Sequence, residues 1–231
     1  MSETRVHADT KVALAALAIA SGSLDVTAFL RLGGLFASVM TSNLIFVGLA
    51  AVKAEATLAE HCVTALVCYV VGVGVGTSIA RPSGGGSGGG GESRIGTFRL
   101  SLLLTVEAVL LFGYAAWWIA DGAGPAGWQQ LTLLGAVAFA MGLQGAAARL
   151  LGDPAAGTTY LTGSLTGMAT AVMTGRRPDT GAAFAIAGVV AGAAAGAALL
   201  DNAPDLTPLL AVAGVAFTAA MSWNERRHVV H

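Results

Sequence analysis

Apolar residues run in long blocks separated by short polar breaks. Eight such stretches can be counted, at about 12–30, 34–52, 60–80, 98–120, 131–151, 157–174, 182–200 and 206–223. A membrane-spanning helix needs about 20 mostly apolar residues. Each stretch is long enough or nearly so, and the pattern predicts an all-α, polytopic transmembrane bundle forming one membrane domain over residues 1–231. One break differs from the rest. Arg81-Pro82 leads into a Gly/Ser run that ends at Glu92-Ser93. Such composition has nothing to bury, and residues 82–93 read as a flexible loop.

Two stretches look like versions of one motif. Residues 22–48 and residues 142–170 each open on a glycine (Gly22, Gly142) and carry an arginine further on (Arg31, Arg149). Each then reaches a Thr-small-polar-Leu element, Thr41-Ser42-Asn43-Leu44 in one and Thr162-Gly163-Ser164-Leu165 in the other. Polar, glycine-interrupted segments at matching places in two halves of a membrane protein point to discontinuous helices around a transport-type site. Gly22, Gly33, Gly34, Gly142 and Gly163 are the expected helix breaks. The apolar stretch after the first motif carries Gly72 and Gly76, and the one after the second carries Gly188, Gly192 and Gly196. Glycines four apart share a helix face and let backbones approach closely, so these five are read as packing positions. The order recurs, which divides the chain into repeats at 12–120 and 131–223.

Composition agrees with the pattern. The chain is 55% hydrophobic and 11% charged, with a mean hydropathy of +0.73; a soluble domain carries about 25% charged residues. The net charge of -1 argues against nucleic-acid binding. The lipid bilayer is the expected partner. Cys62 and Cys68 lie six apart and read as buried small side chains rather than a disulfide or metal pair. Ala18-Ile19-Ala20 follows an apolar run, as a signal-peptide cleavage site does. Retention is expected, because cleavage there would remove the helix that leads into the first motif.

Charge then constrains the topology. Basic residues cluster at Arg5 and Lys11, at Arg81, Arg94 and Arg99, at Arg176-Arg177 and at Arg226-Arg227, while the breaks around Asp121 and around Asp201 and Asp205 are acidic. Cytoplasmic loops carry the excess Lys and Arg. Eight full crossings with parallel halves would put the arginines of the glycine loop outside. Six net crossings, with each motif pair re-entrant or broken, puts both termini inside and makes the halves inverted. Lys53 is the exception to this scheme.

Candidate chemistry is sparse. Asp25 is a proton- or ion-coupling candidate, or a cap or interfacial carboxylate near Arg31. Glu107 lies mid-way through 98–120, where an ionisable group faces a bundle interior or a water cavity. It reads as a second coupling group, as the partner of an arginine such as Arg149, or as a neutral acid bonded to a backbone carbonyl. Thr41, Asn43, Gln144, Thr162, Ser164 and Thr166 supply neutral donors and acceptors for a solute. Trp117, Trp118 and Trp128 read as an interfacial belt. Zinc-ligand and phosphate-loop signatures do not occur, and no enzymatic activity, metal or cofactor is expected.

The motifs resemble those of the YoaK-like family of bacterial integral membrane proteins, a class of unknown function. Its first motif is matched by Gly22, Asp25, Phe29, Leu30, Leu32, Gly33, Gly34, Phe36, Met40, Thr41 and Asn43, with Ser42 in place of the usual glycine. Its second is matched by Met141, Gly142, Gln144, Ala146, Thr158, Thr162, Gly163, Leu165 and Thr166, with Gly145 in place of the usual asparagine. The resemblance implies a multi-pass protein of the bacterial inner membrane and no particular substrate. The residues themselves point to a small-solute transporter or channel with its polar site at the two motifs; a non-transporting scaffold or sensor accessory subunit is the alternative. The GxxxG faces leave a homo-oligomer open.

Overall fold

The computed structural model describes residues 3–81, 91–122, 124–150 and 161–229, with side-chain surroundings given for 11–81, 96–122, 124–149 and 161–224. The described residues form helices and no strands: α1 (Glu3–Arg31), α2 (Met40–Lys53), α3 (Ala56–Ala80), α4 (Gly91–Ala120), α5 (Trp128–Leu150), α6 (Leu161–Met173), α7 (Thr180–Asn202) and α8 (Thr207–Val229). A 3-10 turn, Pro204–Leu206, links the last two. Thr158 and Thr159 of the second motif lie outside the described residues.

Six of these helices are long and apolar enough to cross a membrane: α1, α3, α4, α5, α7 and α8. Helix α2 has 14 residues, and the described part of α6 has 13. At 1.5 Å per residue α2 reaches only about 20 Å, short of the roughly 30 Å of hydrocarbon. The eight-crossing alternative therefore fails on the length of α2.

Contacts at the helix ends fix how the spans alternate. The Gln130 amide, at the start of α5, donates to the Arg31 carbonyl at the end of α1 (2.7 Å). Gln129 donates to Asp121 just beyond α4 (2.6 Å), and the Trp118 indole N–H donates to the Pro204 carbonyl between α7 and α8 (3.0 Å). This end of the bundle carries Asp121, Asp201 and Asp205, and Lys53 falls here too. At the opposite end Lys11 donates to Thr180 (2.7 Å), Arg99 donates to the Ala80 carbonyl (3.1 Å) and Phe98 packs edge-on against Trp223. That end carries Arg81, Arg99, Arg176 and Arg177. The six spans thus alternate between an acidic and a basic end.

The short helices belong to segments that return to the end they left. Helix α1 finishes and α3 begins at the acidic end. Between them Ser38 reaches Asp25 and Ser21, which lie six and ten residues before the end of α1. At the helical rise this places Ser38 roughly 9–15 Å below that end. Residues 32–39 therefore dip along α1, and α2 climbs back. Gly33 and Gly34, with φ of 99° and 77°, make the turn in a backbone region that side chains disfavour. Likewise α5 finishes and α7 begins at the basic end.

Two helix pairs hold the bundle together, α1 with α7 and α3 with α5, and both close through glycine. A Cβ at Gly72 would strike the Phe139 carbonyl oxygen, and one at Gly192 the Ile19 carbonyl oxygen. Gly142 abuts the Tyr69 carbonyl in the same way, and Gly22 the Val189 carbonyl. Gly76 faces Leu143 and Ala146, while Gly196 faces Ser23 and Val26. The contacts of Gly72, Gly76 and Gly142 in one pair recur at Gly192, Gly196 and Gly22 in the other, each residue number shifted by 120. The remaining packing follows the same exchange: α2 lies on α3 and α6 on α7, α8 on α1 and α4 on α5, with α4 against α8 between them.

Gly22 and Gly142 thus require a correction. Neither breaks its helix; α1 and α5 run unbroken through them. A missing side chain serves there for close backbone approach, the same use as at Gly72 and Gly192. Gly163 also lies inside a helix, α6.

Candidate functional site

The first motif folds into a pinned re-entrant hairpin. The Ser38 backbone N–H donates to Asp25 Oδ1 (2.7 Å) and the Ser38 hydroxyl to Oδ2 (2.6 Å). The Ser21 hydroxyl donates to Ser38 Oγ (3.3 Å). Asn43 fastens the same stretch from the other side: Phe36 N–H donates to Oδ1 (3.1 Å), and Nδ2 donates to the Phe36 carbonyl (2.7 Å). All four polar residues are buried. Phe29 of α1 stacks on Phe36 (centroids 5.3 Å apart), sealing the outer side. An extended backbone inside a bilayer needs partners for its N–H and C=O groups, and these side chains provide them.

At the acidic end His61 closes the hairpin. A Cβ on Gly33 would meet the imidazole Cδ2 at 2.5 Å. The ring lies between the Thr57 carbonyl (Nδ1, 2.8 Å) and Gln130 Oε1 (Nε2, 3.3 Å), and Gln130 in turn holds the end of α1. Ser21, Ser38, His61 and Gln130 escaped the sequence analysis. Ser38 lies within the motif, but His61 and Gln130 are 69 positions apart and no local pattern links them.

The second motif is built otherwise. Gly145 stands where the first half has Asp25, and α6 buries no residue. Thr162 and Thr166 are exposed, and Ser164 is half-buried. The Thr166 hydroxyl donates to the Thr162 carbonyl of its own helix (2.9 Å), as threonines in apolar helices commonly do. Thr41 is exposed on α2, whereas Asn43 is consumed by the hairpin. The proposed solute-contacting groups are thus split between two sub-structures, α2 on α3 and α6 on α7.

Polar groups that have no partner lie elsewhere. Glu107 is fully buried, and neither of its carboxyl oxygens has a hydrogen-bond partner. Gln144 Nε2, Tyr114 Oη and Thr207 Oγ1 are also buried without one. The suggested ion pair of Glu107 with Arg149 is therefore not formed. Asp25 and Glu107, two carboxyl groups of similar sequence context, sit in opposite situations: both oxygens of Asp25 are engaged and both of Glu107 are bare. Trp118 is fully buried and tied to Pro204, a core anchor rather than part of an interfacial belt. Among the described residues no group of His, Cys, Asp and Glu could hold a metal ion.

Fold and composition define a multi-pass, all-helical integral membrane protein. The sequence profile of a family of proteins of unknown function, DUF1275, matches residues 13–222, and the chain belongs to that family. It is 29% identical over 152 residues to the UPF0700 transmembrane protein YoaK of Bacillus subtilis (strain 168), a match covering 66% of this chain and 62% of that one. No solved structure matches.

Proposed function

We propose that the protein is a small-solute transporter or channel of the bacterial plasma membrane, formed by two inverted repeats. One observation carries the reading. Three glycine contacts of the α3·α5 interface recur in the α1·α7 interface with an offset of 120, between helices that run the opposite way across the bundle. Inverted repeats with short, discontinuous helices are a recurring plan among transporters, and alternating access follows when one repeat rocks against the other. The basic end faces the cytoplasm, as the distribution of arginines favours, and both termini lie there.

The α2 hairpin and helix α6 have different roles in this scheme. The first is fastened by Asp25 and Asn43 and forms the fixed wall. In the second half neither position carries an acid or an amide, and among the described residues α6 packs chiefly on α7. In this scheme α6 is the moving element. Thr41, Thr162, Ser164 and Thr166 supply hydroxyls to a neutral or zwitterionic solute, and Gln144 adds an inward-facing amide. Asp25 acts here as a structural pin, and coupling falls to Glu107. The reading involves no enzymatic step.

Reconstitution into proteoliposomes tests it. Panels of polyols, amino acids and small organic ions would be screened by vesicle swelling and by radiotracer uptake. Transport of at least one class, slowed when α6 is cross-linked to α7, is the expected result. Vesicles as tight as empty ones to every class, together with copurification of a fixed partner, would replace this reading with that of a scaffold.

A further inference from the structure

The buried polar atoms without partners are not scattered. Glu107, Leu111, Tyr114 and Trp118 recur at helical spacing on the inward face of α4, and all four are buried. Along that face Tyr114 lies about 10 Å from Glu107, and Trp118 about 16 Å, toward the acidic end. The Trp118 indole is held by the Pro204 carbonyl, and Thr207 opens α8 three residues beyond. Three of the bare groups therefore fall in order, Glu107, Tyr114 and Thr207, from mid-span to the end that carries Asp121, Asp201 and Asp205. Buried hydroxyl and carboxyl groups are nearly always satisfied, and when a run of them lacks protein partners, internal water is the usual partner.

We propose that Glu107 is a proton-binding site, loaded from the acidic end through a short water file that Tyr114 and Thr207 line. A bare carboxylate at mid-span has no compensating charge. The helices packed on α4 bear few ionisable groups among the described residues. Helix α3 has His61, Cys62, Cys68 and Tyr69 along its span, with Glu60 and Arg81 near its ends. Helix α5 has Arg149 at its far end, and α8 has none from Thr207 to Asn224. None bonds or pairs with Glu107, whose oxygens are both bare. A proton needs only the carboxyl oxygen it binds, and it leaves the group neutral, which burial favours. In that form the O–H donates to a water of the file and the C=O accepts from another. The step is a transfer of one proton between Glu107 and water, with no other bond made or broken.

This site deepens the transport reading, since it names the coupling ion, yet it is tested without any transport assay. Infrared spectra of the full-length protein in nanodiscs would be recorded for the native protein, Glu107→Gln and Glu107→Asp. A carboxylic-acid C=O band at neutral pH, absent in Glu107→Gln, displaced in Glu107→Asp and indifferent to exchange of sodium for choline, is expected. A carboxylate at that position, or a band that sodium removes, overturns the proton site. Transfer into heavy water then reads the path. The downshift of the Glu107 band is expected to slow by about tenfold in the Tyr114→Phe, Thr207→Val double variant, through loss of hydroxyl links. Exchange at the native rate in that variant overturns the file, whatever solute the protein carries.

Discussion

Ser38 gives Asp25 two hydrogen bonds, one from its backbone N–H and one from its hydroxyl, across thirteen residues of chain and the turn at Gly33 and Gly34. That relationship holds a stretch of non-helical backbone within the bundle. It also explains why a carboxyl group is tolerated so deep in an apolar helix.

Asp25→Ala removes the acceptor and strands a buried N–H and a buried hydroxyl. A loss of about 2–3 kcal/mol is expected, and Asn43→Ala should cost a similar amount because two Phe36 backbone groups lose their partners. Thermal unfolding in detergent would measure both. Asp25→Asn keeps one acceptor oxygen and should fall between. Equal stability of Asp25→Ala and the native protein would show that the hairpin is held by something else.

The two glycine interfaces make a paired prediction. Gly72→Val and Gly192→Val each drive a side chain into a carbonyl of the facing helix, and each should destabilise by about 1–3 kcal/mol or prevent folding. Gly74→Ala and Gly163→Ala meet nothing within 4 Å. They should be neutral, or slightly stabilising through the better helix propensity of alanine. Fluorescence-detected size exclusion after heating would rank all four.

Gly33 meets two separate constraints, its φ of 99° and the His61 ring against it. Gly33→Ala should cost about 1–2 kcal/mol from backbone strain alone, and more from the clash. His61→Ala opens the space but not the dihedral. In the double variant only the clash should be relieved, so the two changes together should cost less than their sum. Strict additivity in the unfolding temperatures would show that the imidazole is not the obstacle.

Topology is testable by single cysteines in a background with Cys62 and Cys68 replaced by alanine. Arg81→Cys and Arg177→Cys should react with an impermeant maleimide from one side of the membrane, and Asp121→Cys and Asp201→Cys from the other. Eight crossings would instead put positions 81 and 177 on opposite sides.

Much of the fold was legible in the chain because a bilayer imposes a length on every span. The blocks at 98–120 and 182–200 announce α4 and α7 closely, and the arginine clusters anticipate the alternation of ends. Gly72, Gly76, Gly188, Gly192 and Gly196 were readable as packing positions, since spacing alone puts them on one face. Gly22 and Gly142 were misread as breaks. A glycine that turns the chain and a glycine that admits a neighbouring carbonyl look alike until the neighbour is in place. Asp25 and Glu107 were readable as unusual, but not as opposites: the partner of one arrives from a hairpin, and no partner reaches the other.

The sequence by itself determined that this chain lives in a membrane, and where its long apolar blocks and its packing glycines fall. Hydrophobic length, charge placement and glycine spacing are local properties, and the solvent acts on them locally. Only the tertiary structure decided which polar groups are satisfied. Ser38 on Asp25, Gln130 on His61 and the bare carboxyl of Glu107 depend on segments distant in the chain meeting at one depth. Inside hydrocarbon a polar group's energy is set by what it touches, and what it touches is chosen by the fold.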